Sequence, residues 1–265
     1  MPEPQRRTQD KRPPQQRPAF FDGLVLGLGI ALLAVLGSQL RAQGGMPPLW
    51  PVAPVLMGVM LRFPHLSHSW SWGGCVIGMV SAQHLSGVAI FPALWIALAT
   101  TFSSLLGYLT ITYLSPQSRT LRNPAAVMHM LLACLVASVA DGMFYALLGG
   151  TLSLGLAPRN MLHWFASSLV NYVAILPMVL TLPQKALSPR YWEESTSKQH
   201  LEVRMLLPLL ALALCTATAW TLQGKAAPVF TLPALLWCAM AFPLFASCVL
   251  TAILGMLFFL GMALG

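Results

Sequence analysis

Apolar runs of about 20 residues recur along almost the whole chain, and a helix needs that length to cross roughly 30 Å of hydrocarbon. They lie at about 21–40, 48–63, 72–90, 93–114, 125–148, 161–182, 205–222, 227–244 and 246–265. Lipid offers no partner to a backbone N–H or C=O, so only helices and closed barrels cross it. A barrel shows segments of about ten residues with alternating polarity, and these runs are longer and uniformly apolar. The expected fold class is therefore all-α, a polytopic transmembrane helical bundle of about nine spans, with eight to ten compatible. Composition agrees: of 265 residues, 57% are hydrophobic and 8% charged, whereas soluble domains carry about 25% charge.

The net charge of +8 points to topology rather than to nucleic acid, because the cations sit in short polar segments. With the N-terminus inside and the spans alternating, twelve Lys and Arg fall on the cytoplasmic side. Only Arg41, Arg159 and Lys225 fall outside. That asymmetry predicts a cytoplasmic N-terminus in a multi-pass membrane protein. Residues 1–20 are polar and rich in Pro, Gln and Arg, with no signal-peptide cleavage site after the first run. They are expected to form a disordered basic tail. The membrane domain follows at 21–265, with six spans to residue 182, a polar cytoplasmic loop at 183–204, and three spans at 205–265. Tyr191 and Trp192 could lie at the headgroup level within that loop. The last apolar run ends at Gly265 without a flanking charge, so a further span and a cytoplasmic output domain are expected beyond it. The five cysteines are scattered without CxxC spacing and read as small buried apolar residues.

No catalytic motif stands in the sequence, neither GxSxG nor HExxH nor a Gly-rich phosphate loop, and no cofactor is implied. Attention falls on polar residues inside the spans, where each is costly and faces the bundle interior. Asp141, in LLACLVASVADGMFYALLGG, suits binding of a cation, a proton or a ligand amine; it equally suits hydrogen bonding to neighbouring helices. By the alternating count His84, beside Gln83, lies at similar depth, so a His84–Asp141 pair is expected as a site or as structural glue. Asn171 follows Ser167 and Ser168 by about one turn on one helix face, fit for helix packing or a polar ligand. Pro177 frees a carbonyl late in that span. The Ser, Thr and Gly of ATTFSSLLGY form a small-residue packing face. His129 and His163 read as interfacial, and His65 and His68 as a loop pair too poor in further ligands for a metal.

The stretch PPLWPVAPVLMGVMLRF leads with Pro47, Pro48, Pro51 and Pro54. Proline is tolerated in a first helical turn, where its missing N–H has no partner anyway. Pro51 and Pro54 thus open a short span, with Trp50 expected as an anchor at the outer headgroups. The irregular backbone before it is expected to wall an outward-facing pocket near Asp141 and His84.

LWPVAPVLMGVMLRFPH, WIALATTFSSLLGYLTITYL, WFASSLVNYVAILPMVL and FTLPALLWCAMAF, in that order, resemble the motifs of MASE-type membrane-associated sensor domains. The resemblance implies a bacterial membrane sensory module ahead of a cytoplasmic output domain, often a diguanylate cyclase. It further implies a homodimer through that output domain and an unknown small ligand or membrane-protein partner. Pro54 stands near the place of a family glycine. Thr100 and Ser103 replace a family Asn and Glu, and Ser168 and Asn171 replace Asp and Gly, which points to a different ligand or a structural role. The rival reading is a small-solute transporter, or its substrate-binding membrane subunit, suggested by a proline-broken span beside intramembrane polar residues.

Overall fold

The computed structural model describes residues 19–39, 50–114, 121, 123–151, 158–183, 203–222 and 227–264. Most of the basic tail and of the 183–204 loop, including Tyr191 and Trp192, lies outside the described residues. Helix α1 covers Ala19–Gln39, α2 Val52–Arg62, α3 Ser69–Leu85, α4 Ile90–Leu114 and α5 Pro124–Thr151. Helix α6 covers Pro158–Thr181, α7 Val203–Leu222, α8 Leu232–Ala241 and α9 Leu244–Leu264. Two 3-10 turns, Pro64–Leu66 and Ala227–Thr231, complete the described secondary structure, which contains no strand.

The punctuation of these helices is legible in their chemistry. Proline opens α5 and α6, where its fixed φ is already helical. The break between α3 and α4 is a Schellman turn. Val88 N–H donates to the Gln83 carbonyl and Gly87 N–H to that of His84, both at 3.0 Å. Gly87 supplies the left-handed φ of 86° this turn needs. At its other end α3 is capped by His68, whose Nδ1 accepts the Ser71 N–H at 3.3 Å.

Among the described residues one α-helix overlaps each of the nine apolar segments, and four of these helices are long and apolar enough to cross a membrane alone. They are Ala19–Gln39, Ile90–Leu114, Pro124–Leu147 within α5, and Trp164–Thr181 within α6. With 11 residues, α2 is only about 16 Å long at 1.5 Å per residue. The 10-residue α8 is shorter still.

What α2 lacks in length it makes up in burial, with eight of its eleven residues buried. Val52, Leu56 and Met60 form one i,i+4 row, packed with Ile30 and Ala34 of α1, Cys75 and Met79 of α3, and Ala97 of α4. Ala53, Met57 and Leu61 form the adjacent row, packed with Ile111 of α4, Met130, Ala133 and Cys134 of α5, and Leu176 of α6. A helix apolar on every face belongs in a core, and α2 stands between α1, α4 and α6, with α3 and α5 completing its two clusters. Helices α7, α8 and α9 enclose a separate core of Leu212, Ala234, Cys238 and Leu254, and α9 lies against α6.

Helices α1 and α3 approach until their backbones touch. A Cβ added at Gly23 or Gly27 would lie 2.5 Å from the carbonyl oxygen of Trp70 or Gly74. Gly74 and Gly78 of α3 meet the backbone of Gly23 and Gly27 in return. Both helices therefore carry a G-x-x-x-G stripe, a device that replaces the hydrophobic effect where the solvent is itself apolar.

Candidate functional site

Three hydrogen bonds fix where α2 starts and ends along α6. At its start, Trp50 N–H donates to Asn171 Oδ1 at 3.3 Å. At its end, Arg62 Nη1 donates to the Leu180 carbonyl at 2.8 Å, and Nη2 to that of Leu182. A cation on the last carbonyls of α6 also complements the negative end of that helix. Helix α2 thus runs parallel to the second half of α6, and its first turn lies midway along the Trp164–Thr181 apolar stretch. Trp50, expected as an anchor at the outer headgroups, has its amide tied to Asn171, midway along that stretch. The physical reason is the amide itself, which needs an acceptor before the helix begins, and Asn171 supplies one.

Above that half-helix lies a crevice lined by Trp50, Ala53, Pro54, Ile96, Asp141, Trp164, Ser167, Ser168, Asn171 and Tyr172. It holds about 30 Å³ of space for water-sized groups, and a smaller one of about 10 Å³ adjoins it on the α4 side of Asp141. Asp141, from α5, is 5% exposed. Its Oδ2 accepts from Trp164 Nε1 at 3.1 Å and, in a shorter bond, from Ser168 Oγ. Trp164 is held flat by Tyr145, with ring centroids 4.0 Å apart and planes 14° apart. Trp95 buttresses the same end of α5 through Nε1, which donates to the Phe144 carbonyl at 3.0 Å.

The floor is a buried hydroxyl cluster. Tyr172 Oη lies 3.2 Å from Ser103 Oγ and 3.3 Å from Ser104 Oγ. Ser104 Oγ is also within 3.0 Å of the Ala53 carbonyl and 2.7 Å of the Thr100 carbonyl. Asn171 Nδ2 donates to the Ser167 carbonyl at 2.9 Å, which orients the amide oxygen toward Trp50. Every floor group therefore has a partner, whereas both donors to Asp141 land on Oδ2.

Six of the residues singled out in the sequence meet here: Trp50, Pro54, Asp141, Ser167, Ser168 and Asn171. Pro51 sits one residue off the crevice, its carbonyl accepting the Val55 N–H at 3.1 Å and its ring near Gly37 of α1. His84 is not in the crevice. Its side chain is exposed, with Nδ1 3.2 Å from the Val88 carbonyl, so the expected His84–Asp141 pair is not formed. One helical position away, Gln83 is the buried member of that dipeptide, and neither its Oε1 nor its Nε2 has a hydrogen-bond partner. The ion pair seen among the described residues is His68 with Asp22, at 3.9 Å.

Sequence reasoning missed Trp164 and Tyr172. Their signal was present in the spacing 164, 168 and 172, which puts Trp164 one turn before and Tyr172 one turn after Ser168 on one face. It also read Ser103 and Ser104 as packing residues without a partner, because the partner, Tyr172, lies on another helix.

No family model and no solved structure matches the chain. Sequence similarity extends to two curated proteins of Escherichia coli, both named "Probable diguanylate cyclase DgcF". That of strain O157:H7 is 24% identical over 249 residues, covering 89% of this chain and 49% of the relative. That of strain K12 is 29% identical over 92 residues, covering 35% of this chain and 26% of the relative. The chain thus spans about half the length of the relative it matches most extensively. This similarity and the four helices of membrane-crossing length together fit a membrane module from a signalling protein.

Proposed function

We propose that the chain is the membrane-embedded sensory input module, of MASE type, of a bacterial inner-membrane signalling protein. Its output would be a cytoplasmic diguanylate cyclase that works as a homodimer. The observation that carries the reading is similarity over 89% of this chain to a protein named as a diguanylate cyclase, of which it covers only 49%. In this reading the N-terminus is cytoplasmic and the chain crosses about nine times. The second crossing is made by α2 together with the segment that precedes it. The parallel course of α2 and α6, ending together at Arg62 and Leu180, supports that count, which places both ends inside.

The same parallel course supplies a physical route for a signal. The first turn of α2 lines the crevice and its last residue grips the end of α6, where the chain enters the 184–202 segment. A ligand that favours one position of α2 over another would bias that end, provided its affinity differs between the two arrangements. The test is cyclic di-GMP production by the full-length protein carrying Asp141→Asn or Trp164→Phe. Altered output at normal membrane abundance is expected; unchanged output from both variants would sink the sensory reading of the crevice.

A further inference from the structure

The carboxylate of Asp141 poses a problem that its visible partners do not solve. It is almost fully buried, and its two partners are neutral donors that both occupy Oδ2. Oδ1 takes part in neither bond, and Asp141 lines both crevices. No cationic side chain lines either crevice. A buried carboxylate without a counter-charge is unstable in a membrane interior, so such groups mark binding sites or proton paths.

The walls narrow the choice. Hard metal ions seek six or more oxygens, but here the Ser168 hydroxyl is spent on Asp141 and Asn171 Oδ1 on Trp50. No cluster of three or more His, Cys, Asp or Glu occurs among the described residues. Trp50, Trp164, Tyr172 and Ile96 instead give an aromatic and apolar lining, which suits an organic cation. Size narrows it further. A water needs about 10–15 Å³ of cavity, so the 30 Å³ here suits a primary ammonium head better than a bulkier trimethylated one.

We infer that the crevice takes the primary ammonium group of a small organic amine, with Asp141 Oδ1 as counter-ion and the amine's carbon chain directed outward past Trp50 and Trp164. This rests on the crevice already assigned to sensing but makes a separate claim about binding. The test is calorimetric titration of the whole chain in lipid nanodiscs. n-Butylammonium is the probe; butyltrimethylammonium, n-butanol and sodium are the comparators. Saturable binding of n-butylammonium is expected, at least about tenfold tighter than any comparator, as loss of a charge-assisted hydrogen bond implies. Asp141→Asn, which keeps the shape and an acceptor for Trp164, should weaken that binding by about 10- to 100-fold.

No binding of n-butylammonium, equal binding of n-butanol, or unchanged binding in Asp141→Asn would each overturn the inference. If the variant does not reach the membrane, the comparator series on the unmutated chain decides alone. Binding without any effect on cyclase output would uphold the inference while removing the sensory role.

Discussion

Tyr172 and Gln83 are both fully buried polar side chains, and they predict opposite responses to the loss of their polar atoms. The Tyr172 hydroxyl is shared between Ser103 and Ser104, and each serine keeps a backbone acceptor of its own. Removing that hydroxyl strands no donor, so Tyr172→Phe should cost only about 1 kcal/mol in a detergent unfolding titration. Gln83 has no partner at either amide atom, and an orphaned buried amide carries a desolvation cost of about 1–3 kcal/mol. Gln83→Leu keeps most of the volume and should stabilise the chain by about 1 kcal/mol or more. A loss of stability instead would reveal that a water or ligand satisfies that amide. Sequence alone marked His84 rather than Gln83, because an ionisable ring is the louder signal. Which of two neighbours on a helix points inward is settled by the partner helices.

Among the elements, the pair α1 and α3 makes the sharpest prediction. Gly27 has a backbone carbonyl where its Cβ would go, whereas Gly29 has nothing within 4 Å. Gly27→Ala should therefore push the two helices apart and destabilise by about 2 kcal/mol or more, the scale of an overpacked core. Gly29→Ala should be neutral or slightly stabilising, since alanine is the better helix former. Thermal melts of the two variants in the same detergent separate these outcomes. The latch between α2 and α6 is a second case. Arg62→Met removes two charge-assisted bonds to the end of α6, for an expected loss of about 2–3 kcal/mol. The prolines that open α5 and α6 were not used as starts, and α6 begins at Pro158 rather than near 161; helix existence was legible from the apolar runs. The length of α2 was not, because Pro47, Pro48, Pro51 and Pro54 each permit a start, and Asn171 decides among them.

For the whole molecule, the testable quantity is sidedness. In a background with the five cysteines replaced, His65→Cys, in the turn after α2, should react with an impermeant thiol reagent only from the cytoplasmic face. His84→Cys, exposed at the end of α3, should react only from the opposite face. Labelling of both from one face would remove the crossing by α3, and labelling with the two faces exchanged would remove the second crossing; either would end the proposed count of nine. The last three helices, with their own small core, stand beside the bundle built on α2 and touch it through α9 and α6. That placement was invisible in the sequence, where all nine segments look alike in hydropathy.

By itself the sequence determined that this chain is helical, where its helices lie, and that Asp141, Ser168 and Asn171 face an interior. These follow from solvent physics: apolar length and the cost of a bare polar group in lipid act on each segment separately. The tertiary structure decided that α2 is a buried half-helix, that Trp164 and Tyr172 complete the crevice, and that His84 stands outside it. Each of those depends on which helix face meets which neighbour, and that choice is made by packing between segments remote in sequence.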